Sequence, residues 1–169
     1  MHEKYTRHFL KDKDAKTLMA EASKNLNVNI DKLLASQKAE IVSTEGKEFY
    51  LFSARPLLFK HEKKIYPTLV FEEYIKLMPK VVVDMGAVPH VCKGADIMAP
   101  GVRTYEGEFN RGDLVAVVDE THRKPIALGE ALYDSHDAES VKQGAIVKNI
   151  HYVGDKAWEL LKKVRAREI

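Results

Sequence analysis

Val91-Cys92-Lys93-Gly94-Ala95-Asp96-Ile97-Met98-Ala99-Pro100-Gly101 is the stretch on which the reading of this chain turns. Gly94 and Gly101 stand seven positions apart, Lys93 before the first and Pro100 before the second. Such a segment bends sharply twice and leaves bare main chain that another molecule can approach. Upstream, three valines at 81–83 read as a buried strand running into Asp84-Met85-Gly86-Ala87. Between the two, residues 86–93 are expected to form one or two helical turns, with Gly94 as the glycine that ends them. Downstream comes Asn149-Ile150-His151-Tyr152-Val153-Gly154-Asp155-Lys156-Ala157-Trp158.

Working outward, residues 97–99, 114–119, 126–132 and 145–150 carry strand signals, and residues 135–143 suggest a short helix. Short strands at this spacing predict a small closed or nearly closed barrel. Asp155 is expected to cap a final helix with an apolar stripe of Ala157, Trp158, Leu161 and Val164, sealing that barrel. The first half reads differently. Residues 13–26 show helical recurrence of Ala15, Leu18, Met19, Ala22 and Leu26, with Asp12 or Asp14 as cap. A short helix is expected at Ile30–Leu34, with Asn29 or Asp31 near its start. Hairpins follow around Glu45-Gly46-Lys47 and around residues 61–64, then a helix over 71–78 stopped by Pro79. The boundary falls there, giving domains 1–78 and 79–169.

The chain has 169 residues, 45% hydrophobic and 31% charged, with a formal net charge of +2. Residues 1–78 hold 14 Lys and Arg against 11 Asp and Glu; the remainder holds 13 against 14. No global basic field advertises a nucleic acid, so any polyanion site is a local patch. Cys92 is the single cysteine, which excludes an internal disulfide and any zinc site needing two thiolates from this chain. No apolar run approaches the roughly 18 residues of a membrane span. The charged N-terminus has no signal-peptide pattern, so the cytoplasm is the expected compartment.

The residues from 79 to about 164 resemble a PUA domain, the RNA-binding fold named for pseudouridine synthases and archaeosine transglycosylases. The resemblance rests on Val83-Asp84-x-Gly86-Ala87, Lys93 through Gly101, and Gly144-Ala145-x-Val147…Gly154-Asp155-x-x-Trp158. With Tyr66-Pro67-Thr68-Leu69, the Gly46 hairpin and Asn149-Ile150-His151-Tyr152 added, the chain is similar to the malignant T-cell amplified sequence family. Its relatives include the N-terminal half of ligatin and archaeal two-domain proteins. The resemblance implies an α+β protein: an N-terminal α/β pre-PUA domain, then a PUA pseudo-barrel of short mixed strands. It further implies binding to the small ribosomal subunit, with PUA near the 3′ end of tRNA, in initiation or recycling beside a translation-factor partner. The first forty residues show no match to the eukaryotic members.

A single-stranded RNA end offers phosphates, 2′-hydroxyls and base faces. Gly86, Ala87 and Val88 are expected to present amides at a helix start, and Lys93, Gly94 and Ala95 amides at a glycine turn, both suited to phosphate. Lys93 adds charge, and His90 shares its helical face. Ala99 and Gly101 are small and would leave a groove open beside their strand. His151 and Tyr152 offer flat faces for stacking. Each has a plainer reading: turn glycines, a solvated lysine, a surface histidine, a core tyrosine, and at Asp96 a turn or cap residue.

Seven histidines are scattered, and no HExxH, CxxC, P-loop or G-x-S-x-G pattern is present. No enzyme, metal or cofactor is therefore expected. The function expected is RNA binding, of tRNA or ribosomal RNA. An accessory subunit for tRNA or rRNA modification and a protein-interaction PUA module are the alternatives.

Overall fold

The computed structural model describes residues 4–34 and 37–168; His2 and the outer ends of the two expected domains, residues 1 and 169, lie outside the described residues. The chain divides into two compact units: residues up to Tyr74 together with those from Leu160 on, and Ile75–Glu159. The α+β class expected from the sequence is the one observed.

The first unit is a five-stranded antiparallel meander, β1 (Tyr5–Phe9), β2 (Ala39–Thr44), β3 (Lys47–Phe52), β4 (Arg55–His61) and β5 (Lys64–Pro67), in that order. Helix α1 (Asp12–Leu26) buries Leu18, Ala22 and Leu26, spaced four apart on one face. It ends at Asn27, which takes the left-handed conformation at φ 51°. Lys11 holds the N-cap position and makes no side-chain cap; Asp12 and Asp14 sit in the first turn, where they complement the helix dipole instead of capping. Asn29 does act at the start of α2 (Ile30–Leu34), its Oδ1 accepting from the Lys32 amide at 3.3 Å. Phe49, Phe59 and Tyr66 stack in tilted contact across β3, β4 and β5, with centroids 6.3 and 5.9 Å apart.

The sequence does not announce β1: Tyr5 and Phe9 are 46% and 62% exposed, so no face alternates. Pairing of Tyr5–Phe9 with Thr44–Glu40 and the Arg7 to Glu40 ion pair at 2.8 Å hold it in place. The helix expected over 71–78 shortens to α3 (Glu72–Ile75), yet Phe71, Tyr74, Ile75 and Met78 are all buried as anticipated.

Three two-residue turns join β2 to β5: Glu45-Gly46, Ser53-Ala54 and Glu62-Lys63. All six residues have positive φ, between 46° and 75°, the type I′ geometry that matches strand twist. Glu62 and Lys63, at φ 46° and 69°, carry side chains in a conformation costing about 1–2 kcal/mol each. Replacing them together, Glu62→Asn with Lys63→Gly, should raise stability by about 1–2 kcal/mol and move the urea midpoint upward. An unmoved midpoint would mean the turn carries no such strain.

The second unit holds a mixed six-stranded sheet in the order β7 (Ile97–Met98), β11 (Ala145–Tyr152), β10 (Pro125–Ala131), β9 (Leu114–Asp119), β6 (Lys80–Val83), β8 (Val102–Glu106). It curls into a half-barrel. Every pairing is antiparallel except β6 with β9. Val81, Val83, Val115, Val117, Ile146 and Val147 fill its core. Strand β8 was not foreseen, because Arg103 and Thr104 are exposed and the strand lies at the sheet edge. The helix expected over 135–143 is one turn, α5 (Ser135–Ala138); only Ala138 is buried there, too little apolar face to carry it further.

Asp155 caps α6 (Lys156–Arg165), accepting from the Trp158 amide at 2.6 Å. Trp158 is half-buried, and Leu160 takes the place given it in the apolar stripe. The helix does not belong wholly to the barrel as a seal. From Leu160 on it groups with the first unit. No helix among the described residues is long and apolar enough to cross a membrane.

Candidate RNA interface

The stretch from Asp84 to Gly101 encloses a cleft of about 500 Å³. Its small residues are Ala87, Ala95 and Gly101, its apolar ones Val91, Ile97, Met98 and Pro100, and its polar ones His90, Asp84 and Asp96. Met98 is 49% exposed beside it. One wall is α4 (Val88–Val91); the other is β7 followed by a 3-10 turn, Ala99–Gly101.

The structure corrects how these residues present themselves. Ala87 does not offer its amide outward: the Asp84 carboxylate accepts it at 2.8 Å. Gly86 lies against the same carboxylate, 3.3 Å from where a Cβ would stand. Val88 opens a helix of only four residues. The amides of Lys93, Gly94 and Ala95 are equally engaged, donating to His90, Val91 and His90 carbonyls at 3.0–3.1 Å. The glycine-turn cradle therefore uses all three of its amides to close the local turn, and the helix-start cradle uses that of Ala87. Gly94 does end α4, at φ 96°. Ala99 and Gly101 belong to the 3-10 turn and not to an extended strand.

His151 is fully buried, so it presents no face to a base. Its Nδ1 donates to Asp155 Oδ2 at 2.8 Å, since a carboxylate only accepts. Tyr152 is half-buried against the core and covers Gly94; its hydroxyl would lie 2.9 Å from a Cβ there. It packs, as its plainer reading as a core tyrosine has it. His90 and Lys93 are exposed, but only His90 lines the cleft; Lys93 stands outside the lining.

Residues the sequence reading passed over organise this site. Asn149 donates from Nδ2 to the Val91 and Ala95 carbonyls at 3.1 and 3.0 Å, while its amide donates to Asp96 Oδ1 at 2.9 Å. One residue of β11 thus fixes the end of α4, the glycine turn and the approach to β7 together. Asp84 closes its turn as an Asx residue, which Asp84-Met85-Gly86-Ala87 signals locally. Arg103 lies 3.9 Å from Asp84 and 3.3 Å from Glu120. Both carboxylates of the cleft are therefore engaged by donors or a cation. Burial pushes the Cys92 thiol up from its ordinary value, which favours the protonated form. No metal-binding cluster occurs among the described residues.

The PUA domain family matches residues 79–153, and a domain of unknown function (DUF1947) matches residues 6–74. The second unit is thus a PUA domain, an RNA-binding class of fold. A crystal structure of a PUA-domain protein from Aeropyrum pernix, solved with tartrate, superposes with a TM-score of 0.82 at 29% identity, covering 96% of this chain and 94% of that one. An uncharacterised protein of Methanocaldococcus jannaschii is 38% identical, over 90% of this chain and 94% of its own. Translation machinery-associated protein 20 of Saccharomyces cerevisiae is 28% identical over 76% of each chain. Malignant T-cell-amplified sequence 1 of Danio rerio is 32% identical over 72% of this chain and 65% of its own. The chain belongs to the two-domain family in which DUF1947 precedes PUA, the family of these malignant T-cell-amplified sequence and translation machinery-associated proteins.

Proposed function

We propose that the protein binds RNA in translation, its PUA domain holding the 3′ single-stranded end of tRNA at the small ribosomal subunit, without chemistry of its own. The observation that carries this reading is the cleft between α4 and the Ala99–Gly101 turn, floored by Ala87, Ala95 and Gly101. The name of the yeast relative, which places that protein with the translation machinery, supports the setting. Because Asp84 and Asp96 line the cleft, it suits the base and not the phosphate. A base is uncharged, and its amino groups donate to carboxylates. Lys93, exposed at the end of α4, meets the backbone outside.

The test compares an acceptor-stem mimic carrying a three-nucleotide 3′ tail with the same stem blunt-ended. One seated base contributes about 1–3 kcal/mol, so tail removal should weaken binding about 5- to 150-fold. Lys93→Glu should weaken binding of the tailed RNA several-fold, about tenfold at low salt, and flatten its salt dependence. Equal affinity for tailed and blunt RNA would end the proposal. Cosedimentation of the native protein with small ribosomal subunits tests the setting.

A further inference from the structure

Beside the cleft lies a second groove of about 410 Å³, and Pro100 lines both. Arg103, Thr104 and Tyr105 of β8 form one side, Glu139 and Lys142 the other. The Tyr105 hydroxyl donates to the Ala138 carbonyl at 3.5 Å, tying the sides together. The two cavities differ in charge. The cleft is lined by two carboxylates and no lysine or arginine; the groove carries an arginine and a lysine against one glutamate. A nucleotide has the same division, an uncharged base joined to an anionic phosphate. In addition, β8 pairs only with β6, so along one side its main chain meets no other described strand. Edge amides, a hydroxyl and two cations are the groups that hold an RNA backbone without reading its sequence.

We infer that this groove is a subsite for the sugar-phosphate of the nucleotide next to the one whose base occupies the cleft, with Lys142 as its phosphate-contacting residue. This rests on the reading proposed above. The strand crosses Pro100: base on the acidic side, phosphate on the basic side. Arg103 serves the border, since it lines the groove while its guanidinium faces Asp84 of the cleft. Lys142 is exposed, and among the described residues its Nζ donates only to the Glu139 carbonyl, at 3.2 Å. Its removal therefore leaves the fold intact.

The experiment measures binding of the tailed acceptor-stem mimic over a range of salt, with each tail phosphate replaced in turn by an uncharged methylphosphonate. Lys142→Ala should weaken binding several-fold and reduce the slope of log affinity against log salt by about 0.7, the value of one single-stranded phosphate. Lys142→Arg should retain both. One methylphosphonate position should cost the wild type several-fold and cost Lys142→Ala nothing more, because the same contact is already gone. If tailed and blunt RNA bind the wild type alike, the end-binding reading itself fails. If the tail matters but Lys142→Ala keeps the wild-type slope, or its effect adds to that of every methylphosphonate, the subsite is overturned and the end-binding reading stands.

Discussion

Gly129→Ala should destabilise the PUA domain by about 3 kcal/mol, the upper end of what overpacking costs. Gly129 sits at the register shift between Leu128 and Gly129, where β11 carries the extra residue, Ile150, against β10. A Cβ there would stand 2.6 Å from the Lys148 carbonyl oxygen and closer still to a Val147 methyl. The carbonyl belongs to main chain, so relief requires breaking the β10–β11 pairing and not merely turning a side chain. At the size of this chain, about 3 kcal/mol lowers the melting temperature by about 6–12 °C. An unchanged melting temperature would show that the bulge can open at no cost.

The second large effect is expected at Asp155. This one side chain accepts from the His151 ring at 2.8 Å, the Tyr152 amide at 3.0 Å and the Trp158 amide at 2.6 Å. His151 is fully buried. Asp155→Ala removes the helix cap and leaves a buried imidazole without its carboxylate, at a cost of about 3 kcal/mol. Asp155→Asn, which keeps the shape, should cost less. Burial alone would push the Asp155 carboxyl up, but the hydrogen bond and charge of His151, with the two amides, outweigh it and hold the group below its ordinary 3.8. The folded protein thus binds this proton less readily than the unfolded chain. The contribution is fully present above the unfolded value, and it is lost as pH falls through the lower folded value. Urea unfolding of wild type and Asp155→Ala should therefore differ most near neutrality and converge below about pH 4. A gap that keeps its full size in acid would refute the ionic account.

A second carboxylate behaves alike. Asp119, at the end of β9, is buried, which raises its pKa; the amides of His122, Lys124 and Thr121 more than offset this and leave it lowered. Neither its role nor that of Asp155 toward His151 was read from the sequence, although Asp155 was placed correctly as a helix cap. An N-cap has a local signature, an acidic residue just before an apolar periodic run. A buried histidine has none until the strand bearing it is placed.

The same division runs through the candidate site. Gly94 ending a short helix, the buried valines of β6 and the bend at Pro100-Gly101 follow from backbone rules acting over a few residues. The availability of the amides around them does not. Ala87, Lys93, Gly94 and Ala95 looked free because a chain written out in one dimension does not show that Asp84, Val91 and His90 take their hydrogen bonds first. His151 looked like a platform because strand alternation tells which residues share a face, not which face a sheet buries. Gly129 has a local signal, glycine within a strand pattern. What it approaches is known only from the β10–β11 register.

Local chemistry in the chain was enough to establish two units, the α+β class, the PUA resemblance and the place of the glycine-bounded segment, because turn, cap and periodicity preferences act between near neighbours. Folding in three dimensions alone assigned the edge strands β1 and β8, the division of α6, the Asn149 staple and the opposite charges of the adjoining cleft and groove. Those depend on residues tens of positions apart, such as Asp96 with Asn149 and Arg103 with Lys142, and burial and long-range pairing bring them together.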